Sequence, residues 1–497
     1  MVQTSFGVTE KSAKIGCLTG DPTIFGNLTP AREVIESVKK TVDCGKCNGY
    51  APSSGTVAAR QAVADYSSTD KVRVDWQDVI LCSGCSTSLD LCISVIANPG
   101  ENILIPRPGF ALYRTLAEGL GIKVKMYNLR PENRWEVDLD HLESQIDGNT
   151  RAIVVNNPSN PCGSVYSKRH LREILDVASR NCVPIIADEI YEHLVFAGEE
   201  YFAMASLPSD VPILSCSGLT KRYLLKIVFL VFSSYPLVLC AITGGMSPPG
   251  FELLRCASRQ VLYSFRFLIP GWRVGWIVIH DKNGIFEKEV KPGLMRLTQR
   301  TLGCNTIVQG AIPEILKYTP TDFYNSTIKT LQRNATVVYK KLSEIPGLKP
   351  VMPQGAMYLM VTIIIIIISI INVINGLKIR TYLDKLILPL TTPFRYLQIG
   401  IDMSYFPDIQ NDHRFVELMV TEESVFCLPG KCFDYPNYVR ITLSPPEEIL
   451  REACERIALF CARHYKAPSK RSERKASCRD VTAPDSPASE LSGRNLA

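Results

Sequence analysis

No leader is expected of the 497-residue chain, no charge dominates it and no membrane-spanning run is clean, and each absence narrows what it can do. Met1–Gly16 lacks an apolar core followed by a small-residue cleavage site, so no secretory signal is expected. The 17 cysteines then read as free thiols in a reducing compartment, and a cytoplasmic location is expected. The formal charge is only +6 and is spread along the chain except near the C-terminus, which gives no reason to expect nucleic acid as a partner. Two apolar stretches come near the roughly 18–20 residues of a membrane span. Leu224–Ile242, however, contains Lys226 and Pro236, and the six isoleucines Ile363–Ile368 are soon followed by Asn372, Asn375 and Gly376. Membrane association is not expected. Regular cysteine spacing is missing as well. Cys44–Cys47 and Cys82–Cys85 together resemble a four-thiolate zinc site. The second pair has a better explanation in a strand-to-helix turn, and no metal is expected.

What is present is the composition of a globular protein, 46% hydrophobic and 21% charged, long enough for two or three domains. Short runs rich in Val, Ile and Leu alternate with helical periods. Val79–Leu81, Asn102–Ile105, Ala152–Val155, Pro184–Ala187 and Pro212–Leu214 are apolar on both faces and end in polar, Gly or Pro residues, as strands of a covered, mostly parallel sheet do. Ser86–Ala97 and Ser167–Ser179 read as helices between them, and Thr29-Pro30 reads as the start of another. The fold class is α/β. In that architecture ligands bind beyond the carboxyl ends of the strands. The tail from about Lys466, rich in Ser, Lys, Arg, Pro and Ala, is expected to be disordered.

Four clusters sit at those strand ends. Ser83-Gly84-Cys85-Ser86-Thr87 opens a helix with small residues, a pattern that leaves N–H groups for an anion. Asn156-Asn157-Pro158-Ser159-Asn160-Pro161-Cys162-Gly163 contains two Asn-Pro steps, which force an irregular turn. Ala187-Asp188-Glu189-Ile190-Tyr191 places an acid at the end of an apolar strand, where it needs a cation; a protonated pyridine would be one. Ser215 to Arg222 places Lys221 shortly after a strand, where an environment that lowers its pKa lets a lysine form a Schiff base. Each cluster alone also fits a plain turn, cap or solvated lysine.

Taken in order, these clusters resemble the fold type I pyridoxal-phosphate-dependent aminotransferases, and within them the tyrosine branch. Further strings carry the likeness: Gly20-Asp21-Pro22-Thr23, Asn48 to Ser53, Pro106-Arg107-Pro108-Gly109-Phe110, Pro270-Gly271-Trp272-Arg273, Thr306 to Ala311, Gly355 to Met360 and Tyr435 to Arg440. The resemblance covers about residues 17 to 463. It implies a large cofactor-binding domain over 50–302, with a mostly parallel sheet covered by helices. A smaller α+β domain would be built from both chain ends, 1–49 and 303–463, before a disordered tail at 464–497.

The resemblance also implies roles. Lys221 would hold pyridoxal 5'-phosphate covalently and act as the general acid–base; Asp188 would keep the pyridine nitrogen protonated. Asn160 and Tyr191 would hydrogen-bond the ring phenolate oxygen, and Phe110 would stack on the ring. Ser83, Gly84, Cys85, Ser217 and Arg273 would hold the phosphate, and Tyr50 would reach it from a neighbouring subunit, which implies a homodimer. Arg440, with Asn160 and the backbone of Gly20, would take the substrate α-carboxylate in a fork that a lysine cannot reproduce. The implied reaction is ping-pong transamination of L-tyrosine with 2-oxoglutarate to 4-hydroxyphenylpyruvate and L-glutamate. Another amino-acid aminotransferase or a carbon–sulfur lyase would carry similar strings.

Two segments depart from the pattern. The family's phosphate-binding arginine follows the lysine closely, whereas here Leu224–Phe267 intervenes before Arg273; Thr362–Ile399 similarly separates Gly355–Val361 from Gly400. Translated intron sequence and a genuine functional insertion are the two readings, the second allowing a catalytically impaired variant. The N-terminus is also short for the family.

Overall fold

The computed structural model describes residues 15–16, 25–28, 30–70, 72–219, 270–319, 321–363 and 406–466. Lys221, Gly20, the whole of 224–267, nearly all of 362–399 and the tail beyond 466 lie outside them. Described residues up to Ile363, with Ile409–Arg463, make one compact unit; the few beyond belong to a second.

The strands are β1 (Ile15–Gly16), β2 (Val79–Cys82), β3 (Asn102–Arg107), β4 (Lys123–Arg130), β5 (Glu136–Val137), β6 (Thr150–Asn156), β7 (Ile185–Asp188), β8 (Ile213–Gly218), β9 (Gly275–His280), β10 (Leu348–Pro350), β11 (Tyr358–Ile363), β12 (Val425–Phe426), β13 (Leu428–Pro429) and β14 (Tyr438–Thr442). The helices are α1 (Arg32–Asp43), α2 (Val57–Ser67), α3 (Cys85–Ile96), α4 (Leu112–Gly119), α5 (Leu139–Gln145), α6 (Lys168–Arg180), α7 (Val290–Leu297), α8 (Thr306–Tyr318), α9 (Thr321–Ser343), α10 (Asp412–Glu423) and α11 (Glu447–His464).

Eight strands form the main sheet in the order β2-β9-β8-β7-β6-β3-β4-β5. The pairs β8/β7, β7/β6, β6/β3 and β3/β4 are parallel, whereas β9 runs antiparallel to both its neighbours. All five expected strands are present, each within two residues of its expected start. Every residue of β2, β7 and β8 is buried, as the unbroken Val/Ile/Leu runs require of strands covered on both faces. Both expected helices form, and α3 packs over β8 and β9.

A second sheet, β10-β11-β14-β13, is antiparallel throughout and carries α9 and α10. Here two expectations shift. Thr362 and Ile363, assigned above to an interrupting segment, pair with Lys349 and Leu348 and complete β11. The first helix begins at Arg32 behind Ala31, which gives no side-chain cap, rather than at Thr29-Pro30; Thr29 itself lies outside the described residues.

The strand ends meet tightly at one edge of the main sheet. Cys82 and Gly218 both pair with Gly275, so the chain leaving β2, the end of β8 and the start of β9 share one place. A Cβ on Gly275 would lie 2.5 Å from the Cys85 nitrogen and 2.6 Å from the Gly84 carbonyl carbon, both backbone atoms that cannot swing aside. Gly275→Ala is therefore expected to cost about 1–3 kcal/mol through overpacking. Urea unfolding measures it, and an unchanged midpoint would show that this crossing is looser than described.

Candidate functional site

Parallel strands aim their carboxyl ends the same way, so β6, β7 and β8 deliver Asn156, Asp188 and Gly218 to one edge of the sheet. Asp188 is 3% exposed. The Tyr113 hydroxyl donates to its Oδ2 at 2.6 Å, and the Ile190 N–H (3.3 Å) and the Cys85 thiol (3.8 Å) approach Oδ1. Among the described residues no cation pairs with it. Burial pushes its pKa up, against the opposing pull of these donors. A cationic ring nitrogen would complete its surroundings.

The Asn-Pro loop after β6 is held from both sides. Asn156 donates through Nδ2 to the Asp188 carbonyl and accepts the Asn160 N–H at 2.7 Å, while Asn157 Oδ1 accepts the Tyr166 N–H. Gly163, at φ +69° where a Cβ would meet Pro353 at 2.6 Å, offers its carbonyl to the N–H groups of Gln354 and Gly355. That contact carries the chain into β11 and brings Tyr358 to within 3.0 Å, hydroxyl to hydroxyl, of Tyr191.

Arg440, at the centre of β14, is 5% exposed. Its Nη1 donates to Asn160 Oδ1 at 2.8 Å, and its guanidinium lies 4.1 Å above the Tyr358 ring and 4.9 Å from that of Phe433. Its Nε is buried without a hydrogen-bond partner, and no carboxylate bridges it among the described residues. Burial pulls its pKa down, the expected sign for a cation short of compensating charge. Among the described residues the site lacks an anion at this point, and a ligand carboxylate would supply one.

At the other end, Gly84 caps α3 with no side chain of its own. The Arg273 guanidinium lies against it, donating to the Ser83 carbonyl at 3.1 Å and Ser86 Oγ at 2.8 Å. A Cβ on Gly84, whose φ is +85°, would collide with that guanidinium at 2.5 Å. A bare helix N-terminus beside an exposed arginine is an anion cradle. Phe110 packs edge-on against Tyr113, ring centres 5.8 Å apart.

The structure thus brings together Asp188, Tyr191, Asn160 and Arg440, and separately Ser83, Gly84, Cys85 and Arg273, with Cys85 touching Asp188. Ser217 is the correction. It alternates with Cys216, the register partner of Asp188, so its side chain leaves on the opposite face of the sheet. There its hydroxyl donates to Glu192 Oε1 at 3.0 Å. Tyr50 is 95% exposed on this single chain. Tyr113 and Tyr358 were given no role from sequence. The available signals were Tyr113's place three residues after Phe110 and Tyr358's place inside the Gly355–Met360 string.

With that geometry in place, comparison with known proteins is informative. The family model described as aminotransferase class I and II matches residues 13–226 and 261–457, and the interval it skips falls inside Leu224–Phe267. The chain is 47% identical to tyrosine aminotransferase of Mus musculus over 446 residues, covering 90% of this chain and 80% of that one. It is 46% identical to the Homo sapiens enzyme of the same name, over the same shares. Among solved structures it is similar to tyrosine aminotransferase from Leishmania infantum, at 29% identity and a TM-score of 0.73, covering 92% of this chain and 93% of that one.

On the opposite face of the sheet Glu189, Glu192, His193, Ser215, Ser217 and His280 line a cavity of about 780 Å³. Burial pushes the Glu189 pKa from 4.5 up to about 7, although the Met204 N–H donates to it. Its folded pKa lies above its unfolded one, so its contribution to stability is full below about 4.5 and is lost as pH rises to about 7. His280, pulled down to about 4 by burial, acts in the opposite sense over an overlapping range. The measurement is therefore a difference: the stability gap between wild type and Glu189→Gln should shrink, or reverse in favour of the variant, from pH 4.5 to 7. A gap constant over that range would contradict the assignment.

Proposed function

The chain belongs to the class I and II aminotransferases, enzymes that work with pyridoxal 5'-phosphate, and on that premise we propose that it transaminates L-tyrosine with 2-oxoglutarate, giving 4-hydroxyphenylpyruvate and L-glutamate. The observation that carries the reading is the pair of buried, uncompensated charges: Asp188 with no cation and Arg440 with no anion among the described residues.

These residues fit the cofactor. Asp188, its oxygens already engaged by Tyr113 and Cys85, would hold the protonated ring nitrogen. Asn160 and Tyr191 would hold the phenolic oxygen, and Phe110 would cover one face of the ring. The start of α3 at Ser83, Gly84 and Cys85, with Arg273, would receive the phosphate; the Ser217 hydroxyl, committed to Glu192, is left out of this set. When bound, the cofactor supplies an electron sink for the substrate α-carbon. The chain's residues do the rest. Arg440 binds the substrate carboxylate in a fork, oriented by Asn160 and by the two rings that exclude water from it. Lys221 would hold the cofactor before substrate arrives and would then move the proton at the substrate α-carbon as a general acid–base. Gly20 would add a backbone N–H near the carboxylate.

Tyr50, so fully exposed here, would reach the phosphate of a second copy, which makes the working unit a homodimer. The same reading assigns 50–302 to a large domain and 1–49 with 303–463 to a small one. It places the enzyme in the cytoplasm, in keeping with the free thiols among the described cysteines. No described helix is long and apolar enough to cross a membrane.

Borohydride treatment of the full chain loaded with pyridoxal phosphate should fix the cofactor on the peptide containing Lys221, and Lys221→Ala should retain none. A variant that retained it there would sink the assignment. With tyrosine and 2-oxoglutarate, glutamate should form; release of ammonia or thiol from an alternative donor would instead indicate a lyase. Arg440→Lys keeps the charge but loses the fork, so kcat/KM for the amino acid should fall roughly tenfold to a hundredfold. A loss confined to kcat would mean that Arg440 does not bind the carboxylate.

A further inference from the structure

We propose that Tyr113 is a positioning residue for Asp188: it fixes the carboxylate's orientation and holds it ionised toward the cofactor's ring nitrogen, in register with the ring of Phe110. The proposal rests on the reading that Asp188 faces that nitrogen.

Four observations carry it. The Tyr113 side chain is fully buried, with 0% exposure. Its hydroxyl donates to Oδ2 of Asp188 at 2.6 Å, the shortest of the three contacts on that carboxylate. The Ile190 N–H and the Cys85 thiol engage the other oxygen, so each oxygen has its own donor and the carboxylate is not free to turn. Finally, Tyr113 is the second residue of α4 and its ring meets Phe110 at 90°, so one short element sets both a ring wall and the charge beneath it.

The chemistry follows from the surroundings. A carboxylate this deeply buried favours its protonated form, in which it no longer holds a cationic ring nitrogen. A donor hydrogen bond to the ionised form opposes that. The titratable groups facing Asp188 are Tyr113 from α4, Cys85 from α3, Cys216 from β8 and Tyr191 from the loop after β7. Burial pushes the pKa values of Tyr113, Cys85 and Tyr191 well above the usual range, and the hydrogen bond with Cys92 together with burial does the same for Cys216, so all four stay protonated and uncharged. Tyr113 is therefore a donor at every working pH, and Asp188 is the group of this cluster that titrates on the acid side.

The test is the dissociation constant of pyridoxal phosphate as a function of pH, followed by intrinsic fluorescence on the full chain. For wild type, affinity should fall on the acid side as Asp188 takes a proton. Tyr113→Phe keeps the ring's volume and removes the donor; it should weaken binding about tenfold at neutral pH and move the acid limb up by about one pH unit. Tyr113→His restores a ring donor and should bring the limb back toward wild type. Cys85→Ala removes a longer, weaker donor and should shift it less.

An acid limb in Tyr113→Phe that matches wild type, with thermal unfolding unchanged, overturns the proposal. If the Phe variant does not fold, Tyr113→Leu, which also lacks the donor, decides by the same reading: a limb moved up by about one pH unit supports the donor role, and one that matches wild type overturns it. Asp188→Asn separates the two levels. If it binds as wild type does, with the same limb, the reading of Asp188 fails. If it loses binding while Tyr113→Phe does not, only the role of Tyr113 fails.

Discussion

A carboxylate at the end of an apolar strand is costly to bury, and the arrangement around Asp188 is built on that cost. Three donors reach it from α3, α4 and the turn after β7, yet none carries a charge. The described residues thus surround the carboxylate with dipoles and no cation, which a ligand would have to bring. Arg440 is the mirror case. Two rings and one amide oxygen surround it, and its Nε is left without a partner. Pairing these opposite charges with each other would stabilise the empty protein but consume the affinity of both. A chain of uncharged groups separates them instead, from Arg440 over the Tyr358 ring to the Tyr191 hydroxyl.

This charge pattern depends on backbone proximity at the same edge of the sheet. Gly275 admits the Cys85 and Gly84 backbone to within 3 Å of where its Cβ would be, and Gly84 admits the Arg273 guanidinium. The close crossing of the chain after β2 with the start of β9 puts the N-terminus of α3, the arginine after the 270–272 turn and the Asp188 carboxylate on adjacent elements, Cys85 touching the carboxylate and Ser83 and Ser86 the arginine. Anion cradle and cation-seeking carboxylate are therefore set by one packing feature. A ligand with a phosphate at one end and a protonatable ring nitrogen at the other matches both.

Much of this was legible in the sequence, for a definite reason. β2, β7 and β8 are buried on both faces, so their residues are nearly all apolar and their polar termini stand out; that contrast exposed Ser83, Asn160 and Asp188 as site candidates. β4 was missed because its exposed and half-buried positions carry Lys123, Lys125 and Asn128, which read as loop. β9 was missed because it begins shortly after the atypical segment and runs antiparallel to its neighbours. The Tyr113–Asp188 bond joins residues 75 apart and Tyr191–Tyr358 joins residues 167 apart, and no local periodicity encodes such contacts. Ser217 failed differently. A hydroxyl four residues before the lysine suits a phosphate site, but the alternation of a strand decides the face, and residue 216 is the one that shares the face of Asp188.

That parity has a further consequence. Along β8, Cys216 faces α3, with its sulfur 3.6 Å from that of Cys92, while Ser215 and Ser217 face the cavity on the other side. Along β7 the same split separates Asp188 from Glu189, one residue later. Two neighbouring buried carboxyls thereby meet different fates. Asp188 has three donors and an unfilled need for a cation. Glu189 has the Met204 N–H as its one backbone donor, lies near the charge of Glu192, and is pushed toward neutrality at about pH 7. Burial raises both; what distinguishes them is that Glu189 also lies beside the Glu192 carboxylate, whereas the groups set around Asp188 are uncharged donors. The α3 face, packed against a helix N-terminus and the Tyr113 hydroxyl, sets donors against the Asp188 carboxyl, whereas the cavity face sets a second carboxyl beside Glu189. The strand therefore delivers Asp188 to the side of the sheet where, among the described residues, no second carboxyl opposes its charge, which is also the side of Arg273 and the bare helix terminus.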